Sequence, residues 1–199
     1  MMVASALASR AQVEKNDWLL GGSFSFGTNN NTSQGSSNSS SNSNLSPELG
    51  FGVAKNSVIG FRGGFYTSTS KDDYSNKQSN TNYSVGLFWK KFFAINEKVG
   101  WYGDVSGGYS HAQNKYPITG GGTQKTTANG FYASISPGIY YKPSKKIFLN
   151  AGFGGLNYNY AKSDTGSSLG GAKTNTFNLN LLTYFSFGVS FIISKEHQM

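Results

Sequence analysis

The chain contains no cysteine. Disulfides, thiolate metal sites and cysteine nucleophiles are therefore excluded. Charge is scarce: Asp, Glu, Lys and Arg make up 13% of the 199 residues, about half the share of an ordinary soluble domain. The two histidines, His111 and His197, are far apart in sequence. They are too few to build a metal centre with the ligands that remain, so no metal and no other cofactor is expected. No stretch approaches ~18 consecutive apolar residues, which excludes a transmembrane helix. It does not exclude the membrane. A closed β-barrel also satisfies every backbone group in lipid, and it needs only alternating segments of about ten residues.

Glycine and aromatic residues are abundant, at 26 residues and 15%. Ser, Asn and Thr supply the polarity that brings the mean hydropathy to −0.40. The length is that of one domain. Eight segments alternate with period two, the strand pattern. They are Trp18 to Thr28, Leu45 to Ala54, Ser57 to Thr67, Tyr83 to Phe93, Gly100 to Ser110, Gly130 to Lys142, Ile147 to Tyr158 and Thr176 to Ile193. No segment keeps apolar residues at helical spacing for two turns, and each glycine would cost a helix about 1 kcal/mol. The connections alternate in length. Asn29 to Asn44, Ser68 to Asn82, His111 to Asn129 and Asn159 to Asn175 are long and polar; Lys55-Asn56, Ala94 to Val99 and Pro143 to Lys146 are short. This predicts an all-β fold: an eight-stranded antiparallel up-and-down transmembrane β-barrel, with four long outer loops and three short periplasmic turns.

The face opposite the large apolar residues carries Ser23, Ser25, Glu48, Gly52, Arg62, Lys90, Asp104, Ser106, Asn150, Asn178 and Asn180. It is too poor in Lys and Glu for the outside of a soluble, lipocalin-like barrel, and it suits a packed polar interior. The apolar face then points to lipid. Aromatics fall near its two rims: Phe93, Trp101 and Tyr141 at one, Tyr83, Tyr109 and Phe131 at the other. Girdles at the two lipid interfaces have this form.

In strand count, loop asymmetry and the final strand FNLNLLTYFSFGVSFII, the chain resembles the small outer-membrane barrels of the OmpX and OmpA-transmembrane-domain type, in the porin-like outer membrane β-barrel domain family. The resemblance covers Gln12 to Ile193. It implies residence in a bacterial outer membrane among lipid and lipopolysaccharide. It also implies insertion by the barrel-assembly machinery, which reads a final strand with an aromatic near its end; Phe191 or Ile193 stands in that place, with SKEHQM after it. Residues 1–11 read as the remnant of an export signal, with Ser9-Arg10-Ala11 as a small-x-small cleavage site. The barrel is expected over residues 12–193 and a short tail over 194–199.

The inward charges form a pattern. Turns centred on Lys55 and Glu97 place Glu48 opposite Arg62 and Lys90 opposite Asp104, all about seven positions above their turns. Pairing offsets most of the cost of charge in a narrow lumen, so a salt-bridged cluster plugging the barrel is expected. No catalytic group is expected. Small barrels of this class include lipid-modifying enzymes, but adjacent Ser110 and His111 point to opposite faces of a strand and cannot act as nucleophile and base. The net charge of +8 does not imply nucleic acid, because the lysines are scattered. Lys71, Lys77, Lys115, Lys125, Lys162 and Lys173 lie in the outer segments, where they would meet lipopolysaccharide phosphates. The reading is a non-enzymatic, single-copy surface protein whose outer loops meet external ligands. The alternatives are a narrow porin for ions or very small solutes and, further off, a lipid-modifying enzyme.

Overall fold

A strand with one apolar face leaves hydrogen-bonding groups along both edges, and lipid offers them no partner. Closing the sheet on itself removes the edges. The structure, a computed structural model, describes residues 12–33, 36–71, 77–118, 122–164 and 171–194. Its strands are β1 (Trp18–Ser33), β2 (Ser36–Ala54), β3 (Ser57–Lys71), β4 (Lys77–Ala94), β5 (Val99–Pro117), β6 (Thr123–Ser144), β7 (Ile147–Asp164) and β8 (Lys173–Ile193). Each pairs antiparallel with the next, and β1 pairs with β8, giving a closed barrel. That seam is the shortest, running from Trp18–Ile193 to Phe24–Phe187.

The short turns set the register. Lys55-Asn56 joins β2 to β3 with Asn56 in the left-handed region (φ 59°), a conformation that asparagine tolerates and tight hairpins require. In β7 the register shifts between Gly152 and Gly154. Gly155 has φ +155° there, and a side chain on it would strike the Ile135 carbonyl, so the irregularity needs glycine. On β8 the ladder to β7 passes from Ser186 to Leu181 across this point.

The large apolar residues face outward. Phe24, Phe61, Leu87, Phe131, Ile135 and Phe187 are all exposed, Phe187 by 68%. A soluble protein does not tolerate such a surface, whereas a lipid-facing barrel wall requires it.

Two expectations are corrected. The segments expected as long outer loops are mostly strand. β1 runs to Ser33 and β2 restarts at Ser36; β5 runs to Pro117 and β6 restarts at Thr123. A ladder already in register extends by backbone bonds alone, and Ser, Thr and Asn obstruct it no more than apolar residues do. The second correction concerns the lumen, which is polar only in part. At the end that carries the short turns Leu19, Val58, Phe88, Phe92, Tyr102, Tyr140, Phe148 and Ile192 form a buried apolar core. Phe92 packs on Tyr140 and Phe148 at ring separations of 5.5 and 5.2 Å. Gly138 leaves the space that the Tyr102 ring fills.

The segment before β1 closes this end. Val13, fully buried, joins the apolar core. The Asn56 side-chain oxygen accepts from the backbone N–H of Gln12 (2.6 Å) and of Val13 (3.4 Å), while the Asn56 N–H donates to the Val13 carbonyl at 2.8 Å. Lys142 Nζ donates to the Gln12 carbonyl at 3.0 Å. The expected export segment, residues 1–11, and tail residues 195–199, with His197, lie outside the described residues.

Candidate functional site

Directly above the apolar core lies a charged layer. Glu48 and Arg62 are opposite each other on β2 and β3, and Lys90 and Asp104 on β4 and β5. β3 and β4 are neighbours, so the four side chains converge in the lumen. Arg62 bridges both carboxylates. Its Nε and Nη2 donate to Glu48 Oε1 at 2.9 and 2.6 Å; its Nη1 and Nη2 donate to Asp104 Oδ1 and Oδ2 at 3.0 and 2.6 Å. Lys90 Nζ donates to Glu48 Oε2 at 2.8 Å and lies 3.7 Å from Asp104 Oδ2. Two cations and two anions therefore cancel.

Neutrality within the layer is what permits its burial. Lys90 and Asp104 are buried, and an isolated charge there would cost several kcal/mol. The planar guanidinium reaches two carboxylates at once, which an ammonium does not do with fixed geometry. Phe88 presents its ring to both cations, with the Arg62 guanidinium 5.1 Å and Lys90 Nζ 5.3 Å from its ring centre. Tyr102 presents its face to Lys90 at 5.3 Å.

Above the cluster the lumen opens into two polar cavities. One of about 250 Å³ lies on the cluster and is walled by residues such as Ser134, Asn150 and Ser190. The other, of about 280 Å³, lies toward the outer end beside Tyr66, Asn82 and Tyr132. Arg62 borders both.

The six rim aromatics are on the outward face in two groups. Phe93 and Trp101 stack at 3.9 Å near the periplasmic turns, with Tyr141 exposed two strands on from Phe93. Tyr109 and Phe131 pack edge to face at 5.7 Å, and Tyr83 lies against Phe65 at 5.3 Å. Trp101 and Tyr109 are separated by eight positions on β5, or roughly 20 Å along the axis of a barrel with ordinary strand tilt. His111 Nδ1 lies 2.7 Å from Asn129 Oδ1, to which the Tyr109 hydroxyl also donates at 2.7 Å. Ser110 is on the opposite face, so the structure does not bring Ser110 and His111 together.

Sequence reasoning missed Phe88, Phe92, Tyr102, Tyr140 and Phe148 as interior groups, and Asn56 and Lys142 as anchors of the first segment. A signal was present. Beside the short turns both strand parities are apolar, as in Val58-Ile59, Phe92-Phe93 and Tyr140-Tyr141. Strict alternation resumes only farther up.

A family model described as outer membrane protein beta-barrel domain matches residues 1–185. No curated protein sequence matches. Among solved structures, the chain is similar to the outer membrane protein OprG from Pseudomonas aeruginosa, with 11% identity, 93% of this chain and 100% of that one covered, and a TM-score of 0.54. It is similar to the attachment invasion locus protein Ail of Yersinia pestis, with 17% identity, coverage of 91% and 100%, and a TM-score of 0.44. It spans 60% of the translocator domain of the autotransporter NalP from Neisseria meningitidis, with 83% of this chain covered, 15% identity and a TM-score of 0.47.

Proposed function

The chain belongs to the outer membrane protein β-barrel domain family and resides in the bacterial outer membrane, and from that premise we propose that it is a non-enzymatic, closed barrel that anchors polar β-hairpins at the cell surface. The observation that carries this reading is the two-layer filling of the lumen. The Glu48–Arg62–Asp104–Lys90 cluster lies directly on the apolar core, and the segment from Gln12 to Asp17 covers the core from the periplasmic side. A hydrated ion crossing the lumen would have to break the cluster and then pass between Phe92, Tyr140 and Phe148. The two aromatic groups are the lipid interfaces, and the hairpins beyond the outer group are the parts available to external ligands.

A narrow pore is the second reading. It is favoured by the polar cavities at the cluster, one of which is lined by Lys90, Tyr102 and Ser190 as well as Arg62. Single-channel recording separates the two. The protein is refolded in detergent, its fold is verified by heat-modifiable gel mobility, and it is then inserted into a planar bilayer. A silent bilayer containing inserted protein is the expected result. Discrete conductance steps would reject closure and make the chain a small pore.

A further inference from the structure

On the outer hairpins, strand register sets lysine against lysine. Lys71 of β3 is opposite Lys77 of β4, Lys115 of β5 is opposite Lys125 of β6, and Lys162 of β7 is opposite Lys173 of β8. The first two pairs are continuous. The partner of Lys115 on β4 is Ser79, two residues from Lys77, so Lys77 and Lys115 are diagonal neighbours on one face. Four ammonium groups thus run in a row across β3, β4, β5 and β6. From Lys71 to Lys125 the row spans roughly 15 Å at the usual strand spacing. All of these lysines are exposed. Each stands an even number of residues from an outward aromatic of its own strand: Lys71 from Phe65, Lys77 from Tyr83, Lys115 from Tyr109 and Lys125 from Phe131. The row therefore shares the lipid-side face of the wall.

Like charges directly opposite each other destabilise an antiparallel pair. The ion pairs among Glu48, Arg62, Lys90 and Asp104 include none of the six lysines. Asp164, two positions beyond Lys162, is the one acidic residue on the described parts of the outer hairpins; it is opposite Thr127 of β6 and so lies beside the Lys125 end of the row, while Lys71, Lys77 and Lys115 have no acidic residue opposite them among the described residues. Asp72 and Asp73 lie outside the described residues. The β1–β2 hairpin, by contrast, carries no charge from Ser25 to Asn44. The basic surface thus spares the β1–β2 hairpin. It also has a defined height, since six residues separate each lysine of the row from its aromatic. At ordinary rise and tilt this is roughly 15 Å above the outer lipid interface, the level of phosphorylated sugars in the outer leaflet.

We infer that the row Lys71–Lys77–Lys115–Lys125 is a binding site for the phosphate groups of lipopolysaccharide in the surrounding leaflet, with Lys162 and Lys173 as a separate contact farther round the barrel. Phosphates between paired ammonium groups convert the repulsion into attraction. Lysine suits the task, since a point charge on a flexible stem follows a mobile headgroup. The inference rests on the outer-membrane location and not on closure of the lumen, so conductance and lipid binding fail separately.

The test compares refolded wild-type protein with Lys71→Glu plus Lys115→Glu, which turns the row into alternating charges. Binding is measured to purified lipopolysaccharide, to the same material after dephosphorylation, and to soluble tripolyphosphate. The double variant is expected to bind lipopolysaccharide at least about thirtyfold more weakly, at about fivefold for each lysine charge lost near an anionic surface. It should unfold no earlier than wild type when lipid is absent. Dephosphorylation should weaken wild-type binding similarly, and Lys55→Glu plus Lys98→Glu at the periplasmic turns should leave it unchanged. If the double variant does not refold, Lys71→Gln plus Lys115→Gln takes its place. Undiminished binding by the variant that folds, or indifference to dephosphorylation, would overturn the site. Tripolyphosphate binding as tightly as lipopolysaccharide would overturn the glycolipid as its ligand.

Discussion

The two ends of this barrel are built from the same strands by different physics. At the periplasmic end both faces of the wall are buried, one in lipid and one against Phe92, Tyr140 and Phe148. At the outer end large apolar side chains give out, and on the β1–β2 hairpin Ser, Thr and Asn continue the wall by backbone pairing alone, as in the ladder from Thr28–Ser41 to Ser33–Ser36. Position in the first region is fixed by shape and charge complementarity. In the second it is fixed by register inherited from below. Substitutions should therefore be costly below the ion cluster and cheap above it, with the cluster as the boundary.

The cluster itself should show the largest effect. Arg62→Ala removes the group that hydrogen-bonds to both Glu48 and Asp104, leaving two carboxylates to share Lys90. Breaking a buried pair from one side costs about 3–5 kcal/mol, so a large drop in the urea midpoint of the refolded barrel is expected. Because the core below stays in place, the variant should conduct little. A variant as stable as wild type would mean that the lumen charges are solvated and that the boundary does not exist. Phe92→Ala should follow closely, at about 3 kcal/mol for a buried ring whose neighbours collapse only in part. Combined with Arg62→Ala it should open the lumen, read as conductance steps that neither single variant shows.

How much of this was legible beforehand follows the same division. The strand pattern, the antiparallel order and the outward apolar face stand in the sequence because lipid imposes strict alternation on one face. The placements of Glu48 opposite Arg62 and of Lys90 opposite Asp104 follow from counting outward from Lys55-Asn56 and from Glu97. Each turn is short enough to fix the register over the next ten residues. The interior core was not legible in that way. Phe88, Phe92 and Phe148 sit on the parity assigned to polar groups, and a period-two reading treats them as noise. The outer hairpins were hidden for the opposite reason. Strands wet on both faces carry no hydrophobic period, so Asn29 to Asn44 reads as a loop although it is mostly ladder. The role of Gln12 and Val13 depended on a long-range contact with Asn56, for which no local pattern exists.

That contact gives a smaller effect. Asn56→Ala removes the acceptor of the Gln12 and Val13 N–H groups and also disfavours the left-handed turn. A loss of about 1–2 kcal/mol is expected, with the clearest signal in hydrogen exchange at Val13. Asn56→Gly separates the two contributions. It keeps the turn and loses the side chain, so faster exchange at Val13 with turn amides still protected would assign the effect to the cap. Exchange at Val13 unchanged in both variants would show that the segment is held by burial of its valine and not by its hydrogen bonds.

The smallest effect should come from the outer end, and it tests the comparison most directly because it deletes the most chain. Replacing residues 30–39 by Asn-Gly shortens the β1–β2 hairpin to the Asn29–Ser40 pair and supplies a turn suited to the strand twist. The removed segment contains Asn, Thr, Ser, Gln and Gly, and no large apolar side chain. Its backbone bonds exchange for bonds to water at little net gain, about 1 kcal/mol or less each, and ordering each residue costs a similar amount. The two terms nearly cancel, so the unfolding midpoint should move by no more than a few degrees and the heat-modifiable gel shift should persist. A large loss of stability would mean that the crown supports the barrel instead of resting on it. Retained stability would show that the membrane-level wall, the ion cluster and the core suffice to specify the fold, and that the hairpin was free to diverge for what it meets outside.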